Sequence, residues 1–208
     1  MRRWLASFRY AGAGIARTLR TQRNMQVHAV STLAVCIVAM ALGLPPADSR
    51  ILGLCIGLVW AAELVNTAIE ATVDLACTES HALARTAKDA SAGAVLGMAA
   101  ISAAILASVL LQRWSLVQAD GVVRSLTWGL PALLGLGLLL GHPSSRWAWI
   151  GAAVCLVGLG WLAHTGRSPA WSAAAGVLWV TAAAARRAVP CADGVDDSER
   201  PAPPRPPR

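Results

Sequence analysis

Residues 27–44 form an eighteen-residue stretch with no Asp, Glu, Lys or Arg, running into Gly43-Leu44-Pro45-Pro46. Such a stretch is just long enough to cross a hydrocarbon core of about 30 Å as a helix. Lipid leaves the backbone no water to bond, so a spanning segment must be a helix or part of a closed barrel. Similar segments follow at 51–73 and 90–111, then shorter, Ala- and Gly-rich ones at 122–141, 147–163 and 170–185. Composition agrees. The chain is 56% hydrophobic and 14% charged, against about 25% charged for a soluble domain. Its mean hydropathy of +0.54 excludes a disordered chain and argues against a water-soluble globule. Nine Trp accompany one Phe and one Tyr, which suits helices in lipid with indoles near the interface.

Residues 1–23 lack the continuous apolar core of a signal peptide. Trp4, Phe8, Ala11, Ile15 and Leu19 recur at helical spacing and fall within one arc, while Arg2, Arg3, Arg9, Arg17, Arg20 and Arg23 fall on the other side. That pattern predicts an amphipathic helix lying on an anionic membrane surface. Residues 188–208, rich in Pro, Asp and Arg, read as a disordered tail. The expected fold is therefore all-α and integral to the membrane: a surface helix, three transmembrane helices, about three more, and the tail. Three regions follow, at 1–112, 113–187 and 188–208.

The net charge of +7 suggests nucleic acid at first sight. However, seventeen of the eighteen basic residues are Arg, spread over ends and loops between apolar segments. With residue 1 in the cytoplasm, fourteen basic residues lie inside and four, Arg50, Arg113, Arg124 and Arg167, outside. This is the positive-inside pattern, and no nucleic-acid partner is expected. It places residues 74–89 in the cytoplasm as a loop. The five Cys follow no framework or CxxC spacing and read as small hydrophobes in packed helices.

Chemistry concentrates between residues 63 and 89, which hold five of the seven acidic residues outside the tail. Glu63, Asn66, Glu70 and Asp74 share one stripe of one helix. Acids within a membrane span are costly and rarely idle. Carboxylates on one face repel one another unless a cation or donors stand nearby, and Mg²⁺ takes carboxylate oxygens, water and substrate phosphates. The chain's single Lys, Lys88, follows beside Asp89 and suits a phosphate. Phosphoryl transfer to a membrane lipid fits this set. An ion or proton pathway fits the spacing equally well, and that choice stays open on spacing alone. The dissimilar halves of the chain do not resemble the repeats of a transporter. No Gly-x4-Gly-Lys-Ser/Thr loop, protein-kinase motif set or zinc spacing is present. His28 and His81 read as polar interfacial positions, and His142 and His164 as span ends.

Three segments carry a family resemblance: Glu63-Leu-Val-Asn-Thr-Ala-Ile-Glu-Ala-Thr-Val-Asp74; Glu79-Ser-His81; and Ala87-Lys-Asp-Ala-Ser-Ala-Gly-Ala-Val95. Together with Phe8-Arg-Tyr-Ala11, Leu19-Arg-Thr-Gln-Arg-Asn24 and His28, they strongly resemble the prokaryotic diacylglycerol kinase/undecaprenol kinase family over residues 1–112. The resemblance implies a surface helix and three spans per subunit. It implies a homotrimer with active sites shared between subunits at the cytoplasmic interface of a bacterial inner membrane. The reaction it implies is transfer of the ATP γ-phosphate to a lipid alcohol with Mg²⁺. Carried over, Glu63 is the general base and Glu70 the Mg²⁺ ligand. Tyr10, Glu79, His81, Lys88 and Asp89 contact the nucleotide, and Asn66 and Asp74 support the site. The family pattern has Glu where this chain has Gln22. A neutral amide oxygen is a weaker Mg²⁺ ligand, so weakened metal binding or lowered activity is expected, and a non-catalytic scaffold is the competing reading. The wording around Glu63 and His28 leans toward the undecaprenol branch. The resemblance does not explain residues 113–187, which hold one acid, Asp120; they read as a helical module for packing, assembly or partner binding.

Overall fold

The computed structural model of the chain describes residues 2–77 and 81–116, and beyond them positions 122, 123, 127, 129–131 and 133–136. Among the described residues the protein is helical throughout: α1 (Arg2–Thr21), α2 (Arg23–Leu42), α3 (Pro46–Ala76) and α4 (Ala82–Gln112), then a short 3-10 turn at Trp114–Leu116. Three of these helices, α2, α3 and α4, are long and apolar enough to cross a membrane.

Each helix end has a local cause. Gln22 adopts an extended backbone (φ −99°, ψ 117°) and separates α1 from α2, with no side-chain cap of its own. Gly43 ends α2 in the left-handed region (φ 57°), which glycine reaches without a Cβ penalty. There its N–H reaches Met40 O and that of Leu44 reaches Ala39 O, satisfying carbonyls the helix leaves open. Pro45 then caps α3, and Pro46 takes its first turn, where a missing N–H costs nothing. His81 opens α4, its Nδ1 accepting the Leu83 N–H at 3.2 Å.

Both α3 and α4 have 31 residues, or about 46 Å at 1.5 Å per residue. They outrun the hydrocarbon core, whereas the apolar segments of the sequence mark only the part in lipid. The residue 74–89 loop is corrected accordingly. Asp74 ends α3, and Lys88 and Asp89 belong to the first turns of α4, so the connection shrinks to residues 77–81. Past the lipid, Arg85, Thr86 and Lys88 continue the helix into water without cost.

Packing is greatest between the antiparallel α3 and α4, with α2 leaning on α3 and α1 touching both α2 and α3. Polar ties bind α3 to α4 along their length: Asp48 to Arg113 at one end (2.7 Å), Asn66 to Ser91 midway (2.7 Å) and Asp74 to Lys88 at the other end. Such bonds hold helices where lipid supplies no hydrophobic drive between them. The buried core lies mainly along α2, through Met25, Ala29, Leu33, Cys36 and Met40.

On α1, Leu19 and Ala16 are buried, while Trp4 and Phe8 stay exposed. The apolar arc expected from the sequence is thus anchored at one end and bare at the other, as a surface helix needs. Of the three further spans, 147–163 and 170–185 lie outside the described residues, as does the 188–208 tail. Within 122–141, the described positions are helical. Leu136 is buried, and a Cβ on Gly129 would stand 2.5 Å from Ile37 Cγ2. Glycine there permits close approach to α2.

Candidate active site

The acidic stripe of α3 faces the other helices at Glu63 and Asn66, 2% and 4% exposed, and opens toward solvent as it climbs to Asp74. Glu63 Oε2 is buried without a hydrogen-bond partner. A buried polar atom in that condition is rare and calls for a functional explanation. His28 on α2 and Glu70 are the charged or titratable groups that act on it electrostatically. The Thr67 hydroxyl donates to the Glu63 carbonyl at 2.9 Å, which is helix-internal and leaves the carboxylate unserved.

Seven residues further on, Glu70 is held. Asn66 Nδ2 donates to its Oε1 at 3.0 Å, while Asn66 Oδ1 accepts from the Ser91 hydroxyl at 2.7 Å. The Ser91 hydroxyl also stands 2.9 Å from the Lys88 carbonyl and has one proton to give; it is the α4 partner of the amide, and the amide meets one carboxylate oxygen of Glu70. Beyond them, the Lys88 ammonium pairs with Asp74, setting a cation beside the upper end of the stripe.

The structure thus brings Glu63, Asn66, Glu70, Asp74 and Lys88 into one array on the facing sides of α3 and α4. Asp89 is exposed next to Lys88 on α4. His81 is placed at the helix start by its capping bond. Tyr10, 76% exposed on α1, and Gln22, at the α1–α2 break, have no hydrogen bond or ion pair to the stripe among the described residues. Glu79 lies outside the described residues. No group of three His, Cys, Asp or Glu side chains among them is arranged to chelate an ion alone; Mg²⁺ needs only one or two carboxylates when phosphates complete its shell.

A groove of about 290 Å³ runs below the array between α2, α3 and α4. Its walls are largely aliphatic, from Val35, Leu52, Ile56, Val59 and Leu106, and it includes His28, Thr32 and Trp60. Trp60, in the groove wall, is one helical turn from Glu63 on α3. Sequence reasoning did not single out Ser91, Thr32 or Trp60. Ser91 carried a signal, since it lies three residues after Lys88 on the same helical face. Thr32 and Trp60 meet only through the packing of two helices.

The family model described as prokaryotic diacylglycerol kinase matches residues 9–110. The chain is 47% identical over 105 residues to the undecaprenol kinase of Bacillus subtilis (strain 168), covering 50% of this chain and 85% of that one. It is 46% identical over 108 residues to the diacylglycerol kinase of Synechocystis sp. (strain ATCC 27184 / PCC 6803 / Kazusa), covering 51% of this chain and 61% of that relative's length. No solved structure matches the chain. With the acidic stripe, the long antiparallel α3–α4 pair and a relative matched over most of its length, the chain belongs to the prokaryotic diacylglycerol kinase family.

Proposed function

We propose that this protein is a lipid kinase that transfers the γ-phosphate of ATP to the hydroxyl of a membrane lipid alcohol, undecaprenol in preference to diacylglycerol. The observation that carries the reading is Glu63 Oε2, a buried, unpartnered carboxylate oxygen one helical turn from the Trp60 that lines an apolar groove. A general base must reach the proton it takes and must not be spent on another donor. In the proposed step the lipid tail lies in the groove and its hydroxyl meets Glu63. The alcohol oxygen attacks the γ-phosphorus, the bond from the γ-phosphorus to the β–γ bridging oxygen breaks, ADP leaves, and Glu63 receives the proton.

Glu70 Oε2 would hold Mg²⁺, and the Gln22 amide oxygen is assigned as a weaker ligand. Mg²⁺ held there would offset the charge that develops on the transferring phosphate. Asn66 and Ser91 keep Glu70 aimed. Asp74 holds Lys88 where its ammonium can meet phosphate, and Tyr10, Glu79, His81 and Asp89 are assigned to the nucleotide. The reading takes this end of the helices as cytoplasmic, at a bacterial inner membrane where ATP is available; the excess of Arg on that side supports the orientation. A homotrimer belongs to the same reading: α4 buries Val95 and Val109 but leaves Leu96 and Ile101 bare. Residues 113–187 are assigned to packing, on the strength of Gly129 against Ile37.

The direct test is transfer of label from γ-labelled ATP, with Mg²⁺, to undecaprenol and to diacylglycerol in mixed micelles. Label on neither lipid, from folded protein, rejects the reading. A non-catalytic scaffold is favoured only by Gln22, and Gln22→Glu separates the two. A restored charge on a working enzyme lowers the Mg²⁺ concentration for half-maximal activity by about tenfold, the lower end of the effect of disturbing a metal site; a scaffold stays inactive in both forms. Ser91→Ala tests the aiming of Glu70. One lost hydrogen bond of about 1 kcal/mol lowers kcat about fivefold, with the helical content by circular dichroism unchanged. An undiminished kcat removes Ser91 from the site.

A further inference from the structure

Thr32 sits where α2 meets α3, in the wall of the apolar groove that Trp60 also lines. A threonine hydroxyl has one proton to give and lone pairs to receive. Here the proton goes to the His28 carbonyl at 2.7 Å, and the oxygen accepts the Trp60 indole N–H at 3.0 Å. On the α4 side, the Ser102 hydroxyl donates to the Met98 carbonyl at 2.8 Å. Three donors of the groove wall are thus spent on acceptors of the protein. Ser31 lies exposed at the rim, and the His28 ring stands within electrostatic reach of Glu63. Apart from the weakly donating Cys55 thiol, the remaining lining is hydrocarbon.

The two alcohols named for the relatives differ in what they ask of such a wall. A polyprenol has one hydroxyl on a tail of pure hydrocarbon. A diacylglycerol has two ester groups within a few bonds of its hydroxyl. Their carbonyl oxygens give up water on entering the groove and need donors in return, and an acceptor buried without one is penalised. The donor closest in sequence to the base, the Trp60 N–H, is already engaged.

Resting on the kinase reading, we infer that the Trp60–Thr32 hydrogen bond is a specificity determinant for the lipid acceptor: by withholding the indole N–H it favours an alcohol with a hydrocarbon tail over an ester-bearing one. The two residues act through the groove wall and take no part in the phosphoryl step.

The test measures kcat/KM for a polyprenol and for diacylglycerol in mixed micelles, using the full chain and its variants. Thr32→Val keeps the side-chain shape and frees the indole N–H. It raises the ratio of diacylglycerol to polyprenol kcat/KM about tenfold, the worth of one hydrogen bond regained. Thr32→Ala frees the same N–H and shifts the ratio in the same direction. Trp60→Phe removes the N–H, frees no donor and leaves the ratio at its original value. Thr32→Ser keeps the bond and the ratio. A ratio that does not move in Thr32→Val and Thr32→Ala, or that moves as far in Trp60→Phe, overturns the inference and leaves the kinase reading intact. Original protein that labels neither lipid overturns both.

Discussion

Replacing Glu63 by Gln is expected to lower lipid phosphorylation by about 10²–10⁴-fold, the range a positioned general base contributes. The change is nearly isosteric and removes a charge from a site 2% exposed. The affected oxygen has no partner in the folded protein, so no native hydrogen bond is lost. Resistance to thermal unfolding should therefore hold or rise, because an unpaired buried charge is a burden on the fold. Loss of transfer with folding retained is the signature of a residue kept for chemistry. It is measured as label transfer from γ-labelled ATP alongside a thermal melt in the same detergent. A variant that keeps full transfer removes Glu63 from the role of base, whatever happens to its stability.

Replacing Glu70 by Gln is expected to produce a loss of different character. The amide retains an oxygen to accept from Asn66, so the 3.0 Å bond and the tie through Ser91 can survive. What goes is one negative charge on an oxygen assigned to Mg²⁺. Changes in the shell around a metal ligand cost about 10–100-fold in affinity or activity, and loss of a ligand's charge belongs at the upper end. Because the defect is one of ion affinity, raising Mg²⁺ recovers part of the rate. The Glu63 variant shows no such recovery. A Mg²⁺ titration of both variants separates the two roles. Equal recovery, or none in either, would sink the division of labour between the two carboxylates.

The periodicity that located these residues is a property of one helix at a time. Glu63, Asn66, Glu70 and Asp74 could be placed on a single stripe because an α-helix repeats every 3.6 residues whatever surrounds it. Helices α2, α3 and α4 could be found because lipid accepts only long apolar segments with their backbone bonds closed. The break at Gly43-Leu44-Pro45-Pro46 was legible for the same local reason. Hydropathy could not place Lys88 and Asp89 on α4, since it stops at the edge of the lipid and the helix does not.

The sequence by itself therefore determined that this is a chain of membrane-crossing helices, that its acidic stripe lies on the second of them, and that its family is the one its motifs resemble. The tertiary structure decided which side chains meet. Asn66 meets Glu70 on its own helix and Ser91 across from α4. Trp60 reaches Thr32, and Asp48 reaches Arg113, across helix interfaces 28 and 65 residues apart in the chain. Gly129 admits Ile37. Each contact depends on the register and closeness of two helices, set by the packing of all their side chains together, and no spacing within either helix encodes it. The unpartnered Glu63 oxygen belongs to this second class: its place on the stripe is local, but its lack of a partner exists only once the surrounding helices have closed around it.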